Sequence, residues 1–275
     1  LVGAALGAGG AALQGLLRNP LAEPYILGVS SGAGVGVLLG LALASWTALP
    51  AWASTPALAF GGAVATCAVV YLIAQRRGRL DAYALILSGV IVNAFNGAVM
   101  LAIFLYVDPY RIADFVNWAM GRLEDTVDRP RLAACGACVL AGWALLVLRG
   151  PALNVLGLGD DVAASSGVRV HRLRVEVFAA VGLMTAAAVS LAGPIGFLGL
   201  IVPHLCRMVV GASHRRLLLV SGAAGALLLA GADVLCRRVG PLIGAGVVPV
   251  GIATALAGGP FFLALLRRRR GEGAL

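Results

Sequence analysis

The sequence predicts an all-α fold, a polytopic transmembrane helical bundle, and three observations lead there. Sixty per cent of the residues are hydrophobic and 12% charged, with a mean hydropathy of +0.96, too little polar surface for a soluble fold. No residue between Glu176 and Arg207 carries a formal charge, a stretch too long for one membrane span and suited to two. The surplus of +9 comes entirely from arginine, in short clusters between apolar runs, a pattern of membrane orientation and not of nucleic-acid binding.

Apolar runs punctuated by charges, Pro and Gly predict nine spans, near residues 1–17, 26–44, 56–74, 84–107, 131–148, 175–192, 195–211, 217–236 and 247–266. The second opens with Gly28, Ser30, Ser31, Gly32, Gly34 and Gly36, which suits either close helix packing or partial unwinding. The fourth carries Ser88, Asn93 and Asn96, polar groups that are costly against hydrocarbon and belong against another helix or a cavity. Asn93 and Asn96 share a helix face, which Met100 and Phe104 continue as a greasy wall. Between the sixth and seventh spans, GPIGFLGLIVPHLCR at 193–207 is interrupted by Pro, Gly and one His. Helix breakers at that depth are tolerated only where protein or a water-filled path surrounds them.

Arginines in alternate connections orient the chain. Arg18, Arg76, Arg77, Arg79, Arg149, Arg169, Arg172, Arg174, Arg215, Arg216 and 267–270 fall on one side; Arg111, Arg122, Arg129, Arg131, Arg237 and Arg238 fall on the other. The richer side, with the C-terminus, is therefore expected in the cytoplasm, and Leu1 outside. The start, without Met or leader, reads most simply as lacking an N-terminal span. All 275 residues are read as a single transmembrane domain.

Two connections exceed simple turns. The outer one, 108–130, holds RIADFVNWAMGRL, in which Ile112, Phe115, Val116, Ala119 and Met120 recur near helical spacing; a short amphipathic surface helix is expected, with Tyr110 and Trp118 as interfacial anchors. The inner one, 150–174, contains GDDVAASSG, expected to form a short helix begun near Gly159, with Asp160 and Asp161 complementing its dipole, and ended by Gly167. Exposed Asp160, Asp161, Val162 and Ala163 suit a partner groove or simply a solvated loop.

Chemistry of its own is not expected. The three histidines lie in different segments, Cys135 and Cys138 sit in an apolar helix, and no Gly-rich loop ending in Lys-Ser/Thr is present. A rival reading, an ion-gradient-driven secondary transporter, usually needs acids near the membrane midplane; Glu176 and Asp233 approach spans only at their ends.

The run RNPLAEPYILGVSSGAGVG with Arg18, Asn19 and Pro20, the loop LNVLGLGDDVAASSGV, the segment with Gly193, Pro194, Gly196, Pro203 and His204, and PVGIATALAGGPFFLALLRRR together resemble the FecCD family. These are permease subunits of ATP-binding cassette importers for iron-siderophores, haem and cobalamin. The resemblance runs the whole chain in order and implies a ten-span subunit in the bacterial inner membrane, of which nine spans are present. It implies a second permease copy, identical or a close relative, and two cytoplasmic cassette subunits that hold ATP and Mg. A periplasmic or lipid-anchored binding protein delivers cargo. Cofactors bound by the permease itself are not implied. Asp160, Asp161, Val162, Ala163, Ala164 and Gly167 match the family's cassette-coupling stretch. The span carrying Ser88, Asn93, Asn96, Met100 and Phe104 matches its translocation path. Outer arginines that meet acids of the binding protein are matched by Arg237 or Arg238; interfacial snorkelling, or an i,i+4 pair of Arg237 with Asp233, are the alternatives.

Overall fold

The computed structural model describes residues 1–46, 51–76, 79–242, 244 and 246–272, and for 45–46, 51–54 and 264–272 the backbone alone. Arg77 and the side chains of 267–270 therefore lie outside the described residues. In order come α1 (Val2–Leu17), a 3₁₀ turn (Pro24–Leu27), α2 (Val29–Trp46), α3 (Ala51–Ile73), β1 (Gln75–Arg76), β2 (Arg79–Leu80), α4 (Ala82–Phe104), α5 (Pro109–Ala119) and α6 (Arg129–Leu156). Then follow α7 (Asp160–Ser165), α8 (Val170–Ala192), α9 (Leu198–Val210), α10 (His214–Leu242) and α11 (Val250–Glu272).

Among the described residues the chain is all-α apart from one short ladder. Five helices, α3 from Thr55, α4, α6, α8 and α10, are long and apolar enough to cross a membrane, while α1, α2 to Ala44, α9 and α11 to Leu263 are apolar but shorter. The nine expected spans thus correspond to nine apolar helices of unequal reach. At 13 residues α9 is about 20 Å long, short of a hydrocarbon core of about 30 Å.

Small residues set the centre. Every residue of α1 is buried, and its glycines let backbones touch: Gly3 meets Gly225, Gly7 meets Ser221 of α10, and Gly10 meets Gly199 of α9. Helix α8 closes the remaining side: 78% of the residues in its apolar 18-residue stretch are buried, against 17% in that of α4 at the edge. The glycine-serine run is continuous helix after Gly28, which alone is left-handed at φ 77; Gly32 and Gly36 seat against Gly62 and Leu58 of α3. Close packing, not unwinding, accounts for that composition.

Three expectations are corrected at the connections. Helix α6 does not stop near Leu148 but runs to Leu156, carrying Pro151 inside it, and α8 starts at Val170, so the inner connection shrinks to 157–169. Helix α5 forms as an amphipathic helix, but its inward face is Ile112, Phe115 and Trp118, whereas Val116 and Ala119 are exposed. Trp118 packs 5.9 Å from the Phe115 ring, while Tyr110 is 91% exposed. The β1–β2 ladder was not expected: two residue pairs, Gln75 with Leu80 and Arg76 with Arg79, are too few to leave an alternating pattern.

Candidate functional site

At the end of the bundle that carries Arg18 and Arg174, α7 forms as expected, with Gly159 at φ 127 before it and Gly167 at φ 82 after it. Its acids differ in role. Asp161, Val162 and Ala164 face outward, Ala163 is wholly buried, and Asp160, its side chain still 41% exposed, is held by two arginines. The Asp160 carboxylate accepts from Arg18 at 2.8 Å and from Arg174 at 2.7 Å. Arg174, buried in α8, also donates to the Leu80 carbonyl at 2.9 Å, and the Leu80 N–H donates to His171 Nδ1 at 3.2 Å. Expecting Ala163 to be exposed is therefore corrected, and Asp160, though part-exposed, is already paired: a first-turn carboxylate between two guanidiniums, and a methyl turned inward, hold the helix down. Arg18 closes α1 in a left-handed conformation at φ 49, and Asn19 Oδ1 accepts the Leu21 N–H at 3.0 Å before the chain turns at Pro20.

The break between α8 and α9 is braced on several sides. Gly193 and Phe197 both have positive φ, at 66° and 65°. The Glu23 carboxylate accepts the Phe197 N–H at 3.2 Å and the Tyr25 hydroxyl oxygen accepts the Ile195 N–H at 2.8 Å, so backbone donors on either side of Gly196 are satisfied without water. Pro203 lacks the N–H that would have bonded the Gly199 carbonyl one turn back. That carbonyl instead faces Gly10 and accepts from the buried Gln14 amide at 3.5 Å. The His204 ring meets Phe261 of α11 edge-on at 6.2 Å.

On α4, Ser88 and Asn96 are buried and Asn93 is half-buried. Ser31 donates to Asn93 Oδ1 at 2.6 Å, and Asn96 Nδ2 donates to Ser31 at 3.0 Å and Thr66 at 3.2 Å. These amides join α2, α3 and α4. Met100 packs against Gly34, and Phe104 meets Phe115 of α5 edge-on at 5.2 Å. The uncovered face of α4 is apolar instead: Leu87, Val90, Ile91, Phe95, Leu101 and Leu105.

At the opposite end, Arg237 donates to Asp233 at 2.7 Å, to Asp125, and to the Leu123 carbonyl at 3.1 Å. The i,i+4 alternative is the one the side chains adopt. Arg238 is exposed and has no partner among the described residues. Among those residues, no three His, Cys, Asp or Glu side chains gather as a metal site would require.

Sequence reasoning missed Glu23, Tyr25, Gln14 and the Arg18–Asp160–Arg174 triad. Glu23 is legible as a lone acid in a charge-poor run, but it stands before the second predicted span, where an acid carries no membrane penalty to mark it.

The comparisons with known proteins agree with one another. Residues 1–268 match the FecCD transport family. The chain is 44% identical to the cobalamin import system permease protein BtuC of Halobacterium salinarum, covering 98% of this chain and 70% of that protein. It is 38% identical to the hemin transport system permease protein HmuU of Yersinia pestis, covering 98% and 79%. A metal-chelate type ABC transporter solved in an inward-facing conformation superposes with a TM-score of 0.83 at 32% identity, covering 97% of this chain and 82% of that one. By sequence over nearly its whole length and by fold, the chain belongs to the FecCD transport family.

Proposed function

We propose that this chain is the permease subunit of an ATP-driven importer that moves a bulky metal chelate into the cytoplasm, an iron-siderophore first, with haem or cobalamin as the other members of that class. The single observation behind the ATP-driven reading is α7, a six-residue helix between two glycine joints at the arginine-rich end of the bundle. Its outward residues, Asp161, Val162 and Ala164, are the surface offered to a cassette subunit that carries ATP and Mg. That end, with the C-terminus, faces the cytoplasm of a bacterial inner membrane. A second permease copy covers the open α4 face. The two faces bound the path, whose apolar wall grips cargo weakly and lets it leave. Ser88, Asn93 and Asn96 stand behind that wall, and Met100 and Phe104 line it beneath α5. Arg238 is the outer contact for the binding protein, with Arg237 positioned beside it by its acids. Transport proceeds by rocking between inward- and outward-facing arrangements.

One observation speaks for the ion-gradient reading: Glu23 is a carboxylate at a helix break. Its oxygen is already committed to the Phe197 N–H, which favours a structural part. Proteoliposomes holding the permease, cassettes and companion binding protein decide between the two. Uptake of a ferric hydroxamate, haem and cyanocobalamin is measured with wild-type cassettes and with cassettes lacking their catalytic glutamate. Uptake of one of the three that stops with the disabled cassettes is expected. Continued accumulation under a proton or sodium gradient would refute the ATP-driven reading.

A further inference from the structure

Helix α7 hangs between two joints. Gly159 and Gly167 both lie at positive φ, and no other segment comes within 4 Å of where a Cβ would stand, so only local backbone hydrogen bonds, Gly159 N–H to the Leu156 carbonyl at 3.1 Å and Gly167 N–H to the Ala164 carbonyl at 3.0 Å, restrain them. The helix itself is fastened by the buried methyl of Ala163 and by the carboxylate of Asp160. A methyl contact is non-directional and allows rolling. The carboxylate is directional: one oxygen holds Arg18 at the end of α1, and the other holds Arg174 near the start of α8. Through its second nitrogen Arg174 also holds the Leu80 carbonyl, in the ladder that leads directly into α4.

We propose that Asp160 is a positioning residue, a strut that passes displacement of α7 on to α1, α8 and the β-ladder, and is not part of the surface a cassette grips. The inference rests on the reading of α7 as the cassette-docking helix, and it assigns the gripping to Asp161, Val162 and Ala164. Without the strut, cassettes still bind and hydrolyse ATP, but the two glycine joints absorb the motion.

The test uses the complete complex in lipid nanodiscs and proteoliposomes, with a radio-iron hydroxamate, haem and cyanocobalamin assayed in parallel. In Asp160→Asn, cassettes co-purify at the parent stoichiometry and basal ATPase stays within twofold. Uptake per ATP hydrolysed falls fivefold or more, and amide exchange over 157–169 quickens while α1 and α8 are unchanged. Asp160→Glu restores at least half of the uptake per ATP, a rescue that a merely space-filling role does not give. Loss of cassettes from Asp160→Asn, uptake per ATP within twofold of the parent, or unchanged exchange each overturns the strut. If Asp160→Asn melts too low to purify, Arg18→Gln replaces it, because Arg174 still holds Asp160 there. A two- to threefold loss of uptake per ATP is then expected, and no loss overturns the proposal. Asp161→Arg separates the underlying reading: cassettes that still bind it sink the docking assignment. The strut is then judged by exchange over 157–169 in the permease alone.

Discussion

Gly10→Ala tests the packing at the centre of the bundle. A methyl on Gly10 would stand 2.5 Å from the carbonyl carbon of Gly199 and 2.7 Å from its Cα, with the carbonyl oxygen closer still. Carbon atoms rest at roughly 3.5–4.0 Å, so α1 and α9 must separate by about 1 Å. All three neighbours are backbone, and no side chain can swing aside. Overpacking costs about 1–3 kcal/mol, and a backbone obstacle puts this site near the top, at ~3 kcal/mol. The same movement pulls the Gln14 amide from the Gly199 carbonyl that Pro203 leaves without a helical partner. With about 2–4 °C per kcal/mol for a chain of this size, the melting temperature in detergent should fall by roughly 6–12 °C. Gly97→Ala in α4, where nothing lies within 4 Å of the added methyl, serves as the matched control. There the gain in helix propensity of about 0.5–1 kcal/mol should leave the melting temperature equal or slightly higher. The assay is a thermal unfolding series followed by intrinsic fluorescence and by retention of the monodisperse peak. If Gly10→Ala melts within 2 °C of Gly97→Ala, the contact between α1 and α9 is not as described.

Asn96→Ala leaves Ser31 and Thr66 without their shared donor and should lower stability by ~1 kcal/mol, read as a melting shift of a few degrees, with uptake within threefold of the parent. Phe95→Asp, on the open face of α4, should do the reverse, leaving melting nearly unchanged while abolishing uptake; equal effects on both readouts would contradict the assigned faces. Glu23→Gln keeps an oxygen acceptor for the Phe197 N–H, so ATP-driven uptake should persist within twofold at all pH values tested; a loss confined to gradient-driven uptake would instead make Glu23 a coupling acid. Arg238→Glu should weaken capture of the binding protein at low salt by about tenfold and by much less at 0.5 M salt, measured by surface plasmon resonance on nanodiscs, and a salt-independent loss would remove the electrostatic assignment.

What the sequence carried well was whatever depends on local composition. Charge-free runs mark helices α3, α4, α8 and α10, and GDDVAASSG marks α7 to within a residue, because a helix start, its first-turn acids and its terminal glycine are all local. Where Leu148 looked like an end, Arg149 and Pro151 misled: Pro151 is accommodated within α6, and Arg149 pairs with Glu176 of α8 at 2.6 Å. The α5 face was misassigned because Gly34, which lies against Phe115 and Trp118, is far away in the chain, and the way α5 folds back so that Phe115 meets Phe104 leaves no periodic mark. The site was half legible for the same reason. That Asp160 and Asp161 open a helix could be read from their position, but not that two guanidiniums hold Asp160 while Asp161 stands exposed, since Arg18 and Arg174 are 142 and 14 residues away from Asp160.

The distribution of burial bears on how such a permease transmits force. Helix α1 has protein on every side, so it cannot bend independently of α8, α9 and α10; its glycine contacts are backbone against backbone, where even a methyl does not fit. Helix α4 has protein on one side only and meets α2 and α3 through amides and hydroxyls, bonds that can be exchanged for water or for one another during a movement. A push at α7 that reaches Arg18 and Arg174 enters the block at its stiffest members, whereas the ladder leads into α4, the element with most freedom to respond. If the chain works as proposed, the open face of α4 turns as a lever on that block, which Glu23 and Tyr25 brace by satisfying the backbone break between α8 and α9. On this account, substitutions within α1 should alter stability before transport, and substitutions on the open face of α4 should alter transport before stability. Both orders can be read from a single panel that records melting and uptake on the same preparations, and a panel in which the two orders are exchanged would place the lever elsewhere.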